Sequence, residues 1–212
     1  MPDLSEERIR SVVLVGGGVA GWLAAATLAR TLRPDFCRIV LIDSPPRALD
    51  ATSQPALPSF HRLLSLLDID EADLMRRTRA TFRLGTQFRD WGKSGDRYFH
   101  TFGSIGARLE AVPFHQYWSR LRQLDEGPGI ALDIGDFSIA TAAAKQGRFA
   151  RPLSDPRSVL SHYSYGYHFH AGMLATYLRE YAQARGVVHV VRKIREVKLE
   201  SGQGLIDSLR LD

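Results

Sequence analysis

A glycine-rich turn near the N-terminus constrains the fold more than any other feature of this chain. The β-branched run Ser11-Val-Val-Leu-Val15 leads directly into Gly16-Gly-Gly-Val-Ala-Gly21, which is followed by a helix-favouring stretch rich in Ala and Leu. A second β-branched run, Arg38–Asp43, comes next and ends in an acid. This order of strand, glycine turn, helix and strand predicts the first βαβ unit of a doubly wound parallel sheet.

The three spaced glycines of the turn have separate tasks in a dinucleotide site. Gly16, Gly18 and Gly21 fit the pattern G-x-G-x-x-G. In that pattern the first glycine permits the tight turn, and the second lets the backbone approach a pyrophosphate. The third lets the helix pack closely on the strand. The turn therefore predicts dinucleotide binding, against the alternative of a glycine-rich turn that binds no ligand.

The residues around the turn extend this predicted site. Val19 and Ala20 begin the helix, whose N-terminus offers free N–H groups and the positive end of the helix dipole to phosphates. Asp43 can accept hydrogen bonds from a ribose diol, which argues against a 2′-phosphate and hence against NADP. The spacing alone leaves FAD and NAD as alternatives.

The charge of the chain gives weaker information about partners. Lys and Arg number 28 and Asp and Glu 23 in 212 residues, a formal net charge of +5. Several of the basic residues lie in two clusters along the sequence. Clusters of this kind are usually solvated faces, and no nucleic-acid-binding module surrounds them, so we predict no nucleic-acid partner. An alternative is that they attract an anionic ligand such as a flavin phosphate. The clustered residues are Arg76, Arg77, Arg79, Arg83, Arg192, Lys193 and Arg195.

Cysteine and histidine usage argues against a disulfide and against a metal site. Cys37 is the only cysteine, which excludes an intramolecular disulfide and a cysteine cluster. The histidines at 162, 168 and 170 lack the spacing of a helical ligand pair, so no metal is predicted. The N-terminus lacks the pattern of a signal peptide, and no apolar stretch is long enough to span a bilayer. We expect a cytoplasmic protein without a membrane partner.

The remaining pattern predicts an α/β fold of the FAD/NAD(P)-binding type with a doubly wound, Rossmann-like sheet, into which a mostly helical substrate lobe is inserted. The expected division is 1–50 for the βαβ unit, 51–160 for the inserted region and 161–212 for an incomplete return to the nucleotide domain. The predicted elements are a proline-punctuated loop over 44–58, a helix over 59–67, a helix capped by Asp70, an alternating strand over 80–91, a short helix over 113–124, a helix over 170–185, a strand over 187–191 and a hairpin over 196–211.

Several ordered segments of the chain resemble the flavin-dependent tryptophan halogenase family. The glycine turn with the tryptophan that follows it is similar to the family's N-terminal motif. Further similar segments recur in order: Ala80-Thr-Phe-Arg-Leu-Gly85, Phe88-Arg-Asp-Trp91, Tyr98-Phe-His-Thr-Phe-Gly103, Val112-Pro-Phe-His-Gln-Tyr-Trp118 and Tyr167-His-Phe-His-Ala171. The family's W-x-W-x-I-P segment and catalytic glutamate would lie beyond Asp212, so the resemblance covers the family's N-terminal part and implies a truncated form.

This resemblance implies a cofactor, partners and a reaction. FAD, reduced by a separate flavin reductase, would react with oxygen to give a hydroperoxide, and halide would attack it to form hypohalous acid. A lysine would then direct this species to an electron-rich carbon of an aromatic substrate such as an indole or a phenol. By position, His100 and Phe102 resemble the family residues that flank the substrate, with aromatic core packing as the alternative.

The chain departs from the family pattern at residues that matter for the chemistry. The family's lysine falls at Arg83, which stays protonated and can only donate hydrogen bonds; an exposed sheet arginine is the alternative interpretation. The flavin-side loop G-E-S/A-T-I-P appears as Ser53-Gln-Pro-Ala-Leu-Pro58, where Gln54 replaces the acid. His170 stands where the family usually has aspartate. Two alternatives to halogenation therefore stay open: a flavin monooxygenase and a non-catalytic nucleotide-binding remnant.

Overall fold

The computed structural model describes residues 9–33, 35–45, 51–107, 109–123, 133–202 and 204–212. The chain divides into two compact units: unit 1 is Met1–Gln54, Arg62–Ala80 and Phe169–Asp212, and unit 2 is Pro55–His61 and Thr81–His168. The division into 1–50, 51–160 and 161–212 stays a prediction. No helix of the described residues is long and apolar enough to cross a membrane.

Ten strands and six helices follow one another along the described chain. In chain order they are β1 (Ser11–Val15), α1 (Val19–Thr31), β2 (Arg38–Asp43), β3 (Ser53–Ala56), α2 (Phe60–Leu67), α3 (Glu71–Thr78), β4 (Thr81–Arg83), β5 (Gly85–Arg89), β6 (Arg97–Thr101), α4 (Phe114–Gln123), α5 (Ile139–Lys145), β7 (Gly166–His170), α6 (Ala171–Gln183), β8 (Val188–Val191), β9 (Ile194–Leu199) and β10 (Ile206–Leu211). Short 3₁₀ turns precede α5 and β7.

Unit 1 contains a parallel sheet with the strand order β1-β2-β8. Val15 pairs with Ile42, and Asp43 pairs with Val191, so the carboxyl ends of the three strands lie at the same edge. The parallel sheet confirms the α/β fold class. The strand predicted over 187–191 and the C-terminal hairpin, here β9 and β10 in antiparallel pairing, are confirmed as well.

Helices α1 and α6 form the core of unit 1. Small side chains let these helices pack closely, since Ala25 and Ala26 of α1 are fully buried. Leu174 and Leu178 lie on one stripe of α6 and are each 1% exposed. The apolar stripe predicted for residues 170–185 is therefore the buried face of the helix.

The first strand is less buried than its sequence predicts. A run of β-branched residues is typical of a strand buried on both faces, yet Val13 and Val15 are 50% and 61% exposed. Among the described residues β1 pairs with β2 alone and so lies at the edge of the sheet. Its exposure alternates along the strand, which shows that one of its faces is open to solvent.

Helices α2 and α3 are joined to α6 through polar contacts. The Asp70 side chain accepts a hydrogen bond from the N–H of Asp73 at 2.7 Å, which confirms the predicted cap. The Tyr181 hydroxyl donates to the Leu67 carbonyl at 2.6 Å, and the Tyr177 hydroxyl donates to Asp73 at 3.3 Å. These contacts fix residues 62–80 within unit 1.

In unit 2, the single strand predicted over 80–91 is wrong: two strands in different sheets occupy this range. β4 pairs with β7, and β5 pairs with β6, with a break at Leu84. A Cβ atom at Gly85 would lie 2.4 Å from the His100 carbonyl oxygen, so the backbones of β5 and β6 approach closely there. The pairing with β6 therefore begins at Gly85, whereas β4, which ends before Leu84, pairs with β7.

The prediction of a plain loop over 44–58 is also wrong, because β3 lies within it; residues 46–50 are outside the described part. β3 is at the edge of a three-stranded sheet with the order β3-β7-β4. An edge strand tolerates Pro55, which has no backbone N–H to donate. The helices over 59–67 and 113–124 are confirmed as α2 and α4, although residue 124 lies outside the described part.

Aromatic side chains form the core of unit 2. The rings of Phe82 and Phe149 stack with 3.7 Å between their centroids, and Tyr165 meets both edge-on. His61 bridges two tyrosines: its Nε2 lies 2.9 Å from the Tyr165 carbonyl oxygen, and its Nδ1 lies 2.9 Å from the Tyr167 hydroxyl. This cluster holds β4 and β7 against the start of α2.

A half-buried histidine in unit 1 makes a pH dependence of stability testable. The His189 ring meets Trp22 edge-on at 4.8 Å, and its buried Nε2 has no hydrogen-bond partner among the described residues. Burial lowers the pKa of His189 and Arg179 lowers it further, although Asp43 opposes them. Protonation is therefore harder in the folded state than in the unfolded chain.

We expect the stability from neutral His189 to be fully present above its unfolded pKa, about 6.5, and lost as the pH falls through the lower folded pKa. His189→Phe keeps the ring contact and should flatten the melting temperature between pH 7.5 and 5. The exposed His115→Phe is the control and should retain the slope of the original protein. An unchanged slope in His189→Phe would contradict this assignment.

Candidate functional site

The turn between β1 and α1 adopts a conformation that requires glycine. Gly16 has φ +105°, and its N–H donates to the Ile42 carbonyl at 2.9 Å. A Cβ atom at Gly21 would lie only 1.9 Å from the Gly16 carbonyl oxygen. The first and last glycines of the pattern therefore shape the turn and bring α1 against it.

Asp43 lies over the middle of the turn. A Cβ atom at Gly17 would be 2.0 Å from Asp43 Oδ2, so only glycine leaves room for this carboxylate. The Asp43 carbonyl accepts a hydrogen bond from the Arg192 N–H at 2.8 Å, which ties the end of β2 to the end of β8. Sequence reasoning missed Gly17, although the run of three glycines was its signal.

The N-terminus of α1 is open to an anion. Gly18 is its N-cap and provides no side-chain hydrogen bond, and the first turn, which includes Val19 and Ala20, contains no acid. A Cβ atom at Gly18 would meet nothing within 4 Å. Unpaired N–H groups at the positive end of a helix dipole next to open space can bind a phosphate.

The structure gathers the predicted residues Gly16, Gly18, Val19, Ala20, Gly21 and Asp43 at the carboxyl edge of the parallel sheet. Ligands of open α/β sheets bind at this edge. The geometry suits a pyrophosphate next to Gly18, with a diol on Asp43. A bound dinucleotide presents both of these groups, a pyrophosphate and a ribose diol.

Of the predicted residues of unit 2, Arg83 and Phe102 lie next to each other. The guanidinium carbon of Arg83 lies 5.2 Å from the centroid of the Phe102 ring, and Arg83 Nη2 donates to the Thr86 hydroxyl at 2.7 Å. His100 is exposed and stands opposite Thr86 in the pairing of β5 with β6. Phe102 and Arg83 are thus in contact, and His100 is the cross-strand neighbour of Thr86, which sequence reasoning missed.

A cavity of unit 2, with a volume of ≈ 770 Å³, has Phe102 in its wall. Phe114 and Phe137 also line it, with 4.6 Å between their ring centroids, and so does Tyr163. Pockets for small organic ligands have volumes of about 300–1,000 Å³ and mostly apolar walls. The cavity therefore has the size and lining for an aromatic molecule.

Two departures from the family pattern have distinct structural settings. Gln54 is exposed in β3, so the amide that stands in place of the family's acid is not buried. His170 is the N-cap of α6, where its Nδ1 accepts a hydrogen bond from the Met173 N–H at 3.4 Å. Aspartate is a common N-cap, so histidine here fulfils the same local role.

Comparisons with known proteins agree with one another on the family. The profile of the tryptophan halogenase family matches residues 11–212. The flavin-dependent halogenase BrvH from Brevundimonas sp. BAL3 is 36% identical with a TM-score of 0.84 over 97% of this chain. A flavin-dependent halogenase from Xanthomonas campestris is 33% identical, also with a TM-score of 0.84 over 97% of this chain.

Tryptophan 6-halogenase SttH from Streptomyces toxytricini is 27% identical over 89% of this chain, which corresponds to 38% of that enzyme. The two solved halogenases are likewise covered over 40% of their length. The present chain therefore spans about two-fifths of the length of these relatives and matches their N-terminal part. Since the profile match extends over nearly all of its residues, the chain belongs to the tryptophan halogenase family.

Proposed function

We propose that unit 1 binds FAD, and that the whole protein halogenates an aromatic substrate. The observation that carries the first part is the open space at Gly18 next to an uncapped helix N-terminus. The pyrophosphate binds there through backbone N–H groups, and Asp43 accepts hydrogen bonds from the ribose. The family relationship supports FAD over NAD, which the spacing of the glycines left open.

The proposed reaction places the substrate in unit 2. When bound, reduced FAD from a separate flavin reductase would supply two electrons to oxygen, and the oxygen activated in this way would oxidise halide to hypohalous acid. Arg83 donates hydrogen bonds that orient this species next to Phe102, since a guanidinium stays protonated. His100 and Phe102 flank the substrate, an indole or a phenol, and the cavity that has Phe102 in its wall receives the aromatic ring.

A specific observation favours a second function, nucleotide binding without halogenation. Arg83 occupies the position of the family's lysine, and arginine is a poor carrier of halogen on nitrogen because it does not lose its proton. A flavin monooxygenase is the remaining alternative, in which oxygen itself is inserted into the substrate.

Product analysis separates these functions. The purified whole protein is incubated with FAD, a flavin reductase, NADH, bromide and either indole or phenol, and products are identified by mass spectrometry. We expect a brominated product that disappears when bromide or FAD is omitted. A hydroxylated product that forms without bromide would indicate a monooxygenase.

The FAD step is measured separately, because nucleotide binding and halogenation can fail independently. Titration of FAD followed by flavin fluorescence should show saturable binding and a raised melting temperature. FAD binding without either product would favour the nucleotide-binding function. If FAD neither binds nor raises the melting temperature, the proposal fails at its first step.

A further inference from the structure

The side chain of Arg83 leaves the backbone at a break between two sheets of unit 2. β4 ends at Arg83 and pairs with β7, whereas β5 begins at Gly85 and pairs with β6. A long side chain with many rotamers can point in several directions from such a position, and holding it in one direction costs conformational entropy. A specific contact is therefore needed to hold the guanidinium in one place.

The hydroxyl of Thr86 provides this contact. It accepts a hydrogen bond from Arg83 Nη2 at 2.7 Å in a half-buried setting. Thr86 is β-branched and lies in a paired strand opposite His100, so it has few rotamers and its oxygen has a defined position. A hydrogen bond from a charged donor is also stronger than one between neutral groups. Thr86 is thus a rigid acceptor for a flexible cation.

The ring of Phe102 is the second contact of the same guanidinium. The guanidinium carbon lies 5.2 Å from the centroid of the ring. The Phe102 N–H donates to the Leu84 carbonyl at 2.9 Å, so the ring is tied to the residue that follows Arg83. The hydrogen bond to Thr86 uses one N–H of Nη2, which leaves Nη1 to donate to a reactant.

Thr86 is neutral, so it holds the guanidinium without cancelling its charge. Among the described residues, no carboxylate forms an ion pair with Arg83. The pairing of Thr81 with His168 puts His168 on the same face of the sheet as Arg83. Burial lowers the pKa of His168, and the charge of Arg83 lowers it further. The titration of His168 therefore reports on the position of that charge.

We propose that Thr86 is a positioning residue whose hydroxyl orients the Arg83 guanidinium against Phe102, so that Nη1 can donate to hypohalous acid. The inference rests on the proposed halogenation, and it adds a residue that acts through Arg83 rather than on the substrate. A carboxylate at position 86 would also hold the guanidinium, but it would form an ion pair and compete with a reactant for the N–H groups. A hydroxyl leaves them available.

Titration of His168 by proton NMR tests the positioning on the whole protein without flavin, halide or substrate. Arg83→Gln removes the charge and should raise the pKa of His168 toward its ordinary value. Thr86→Val removes the hydroxyl and keeps the shape of the side chain. It should raise this pKa part of the way, because the released guanidinium moves into solvent, where water screens its charge.

Thr86→Ser is the matched variant for this titration, since it keeps the hydroxyl and should titrate like the unaltered protein. His168→Gln identifies the resonance. A titration of His168 in Thr86→Val that matches the unaltered protein would overturn the proposal.

Halogenation kinetics with FAD, a flavin reductase, bromide and indole test the consequence for the reaction. Thr86→Val should lower kcat about tenfold and change the KM for indole by less than about twofold, because the orientation of a reactant is lost and substrate binding is not. Thr86→Ser should recover most of the lost rate. An unchanged kcat in Thr86→Val would overturn the proposal. If the unaltered protein gives no halogenated product, the proposed function fails, and the titration of His168 still decides whether Thr86 positions Arg83.

The melting temperature separates positioning from a loss of structure. Valine has a high strand propensity, so Thr86→Val should melt within about 2 °C of the unaltered protein. Its FAD affinity should also be unchanged, because the proposed FAD site lies in unit 1. A lower melting temperature together with losses of kcat and of FAD affinity would show a structural role for Thr86 and overturn the proposal.

Discussion

Replacement of Gly21 by alanine should destabilise the chain by about 3 kcal/mol or more, since a methyl group has no space there. The added Cβ would lie 1.9 Å from the Gly16 carbonyl oxygen and 3.1 Å from its carbonyl carbon. These are backbone atoms of a turn that hydrogen-bonds to β2, so neither can move without a break in the sheet. The expected fall in melting temperature is about 6–12 °C.

Gly18→Ala is the matched control for this prediction. It adds the same methyl group to the same turn, but its Cβ would meet nothing within 4 Å, and φ is −72°. Alanine adopts this backbone without strain, so the melting temperature should hold or rise slightly. Equal losses of stability in the two variants would contradict the packing argument. FAD binding by Gly18→Ala should weaken, because the methyl group fills the space proposed for the pyrophosphate.

The turn and its acid could be predicted from sequence because their geometry is local. Gly16, Gly21 and Asp43 belong to one strand–turn–helix–strand unit, and the spacing of such a unit determines which atoms meet. The exposure of Val15 was not predictable in the same way. It depends on which strands flank β1, and this is a property of the sheet rather than of the run of residues.

The surroundings of Arg83 were predictable only in part. The alternation of the sequence continues through Leu84, so it indicated one strand where two strands pair in different sheets. The signal for the break is Gly85, but its meaning depends on the backbone of β6, which is distant in sequence. For the same reason the contact of Arg83 with Phe102 follows from tertiary structure alone.

Asp43→Ala should reduce FAD affinity by about tenfold to a hundredfold, because hydrogen bonds to a charged group contribute about 1.5–3 kcal/mol. The carboxylate lies directly over Gly17, at the edge where the ribose is proposed to bind. Asp35→Ala is the control: it removes an exposed acid of unit 1 that pairs with Arg33, and it should leave FAD affinity unchanged. Fluorescence titration of FAD gives each affinity.

Gly17→Ala tests the same contact from its other side. Its methyl group would lie 2.0 Å from Asp43 Oδ2, so the carboxylate must rotate away from the ribose. FAD affinity should fall nearly as much as in Asp43→Ala. The double variant should be no weaker than Asp43→Ala alone, because both changes remove one interaction. Additive losses would show that Gly17 and Asp43 act separately, and an unchanged affinity in Asp43→Ala would remove the carboxylate from the proposed site.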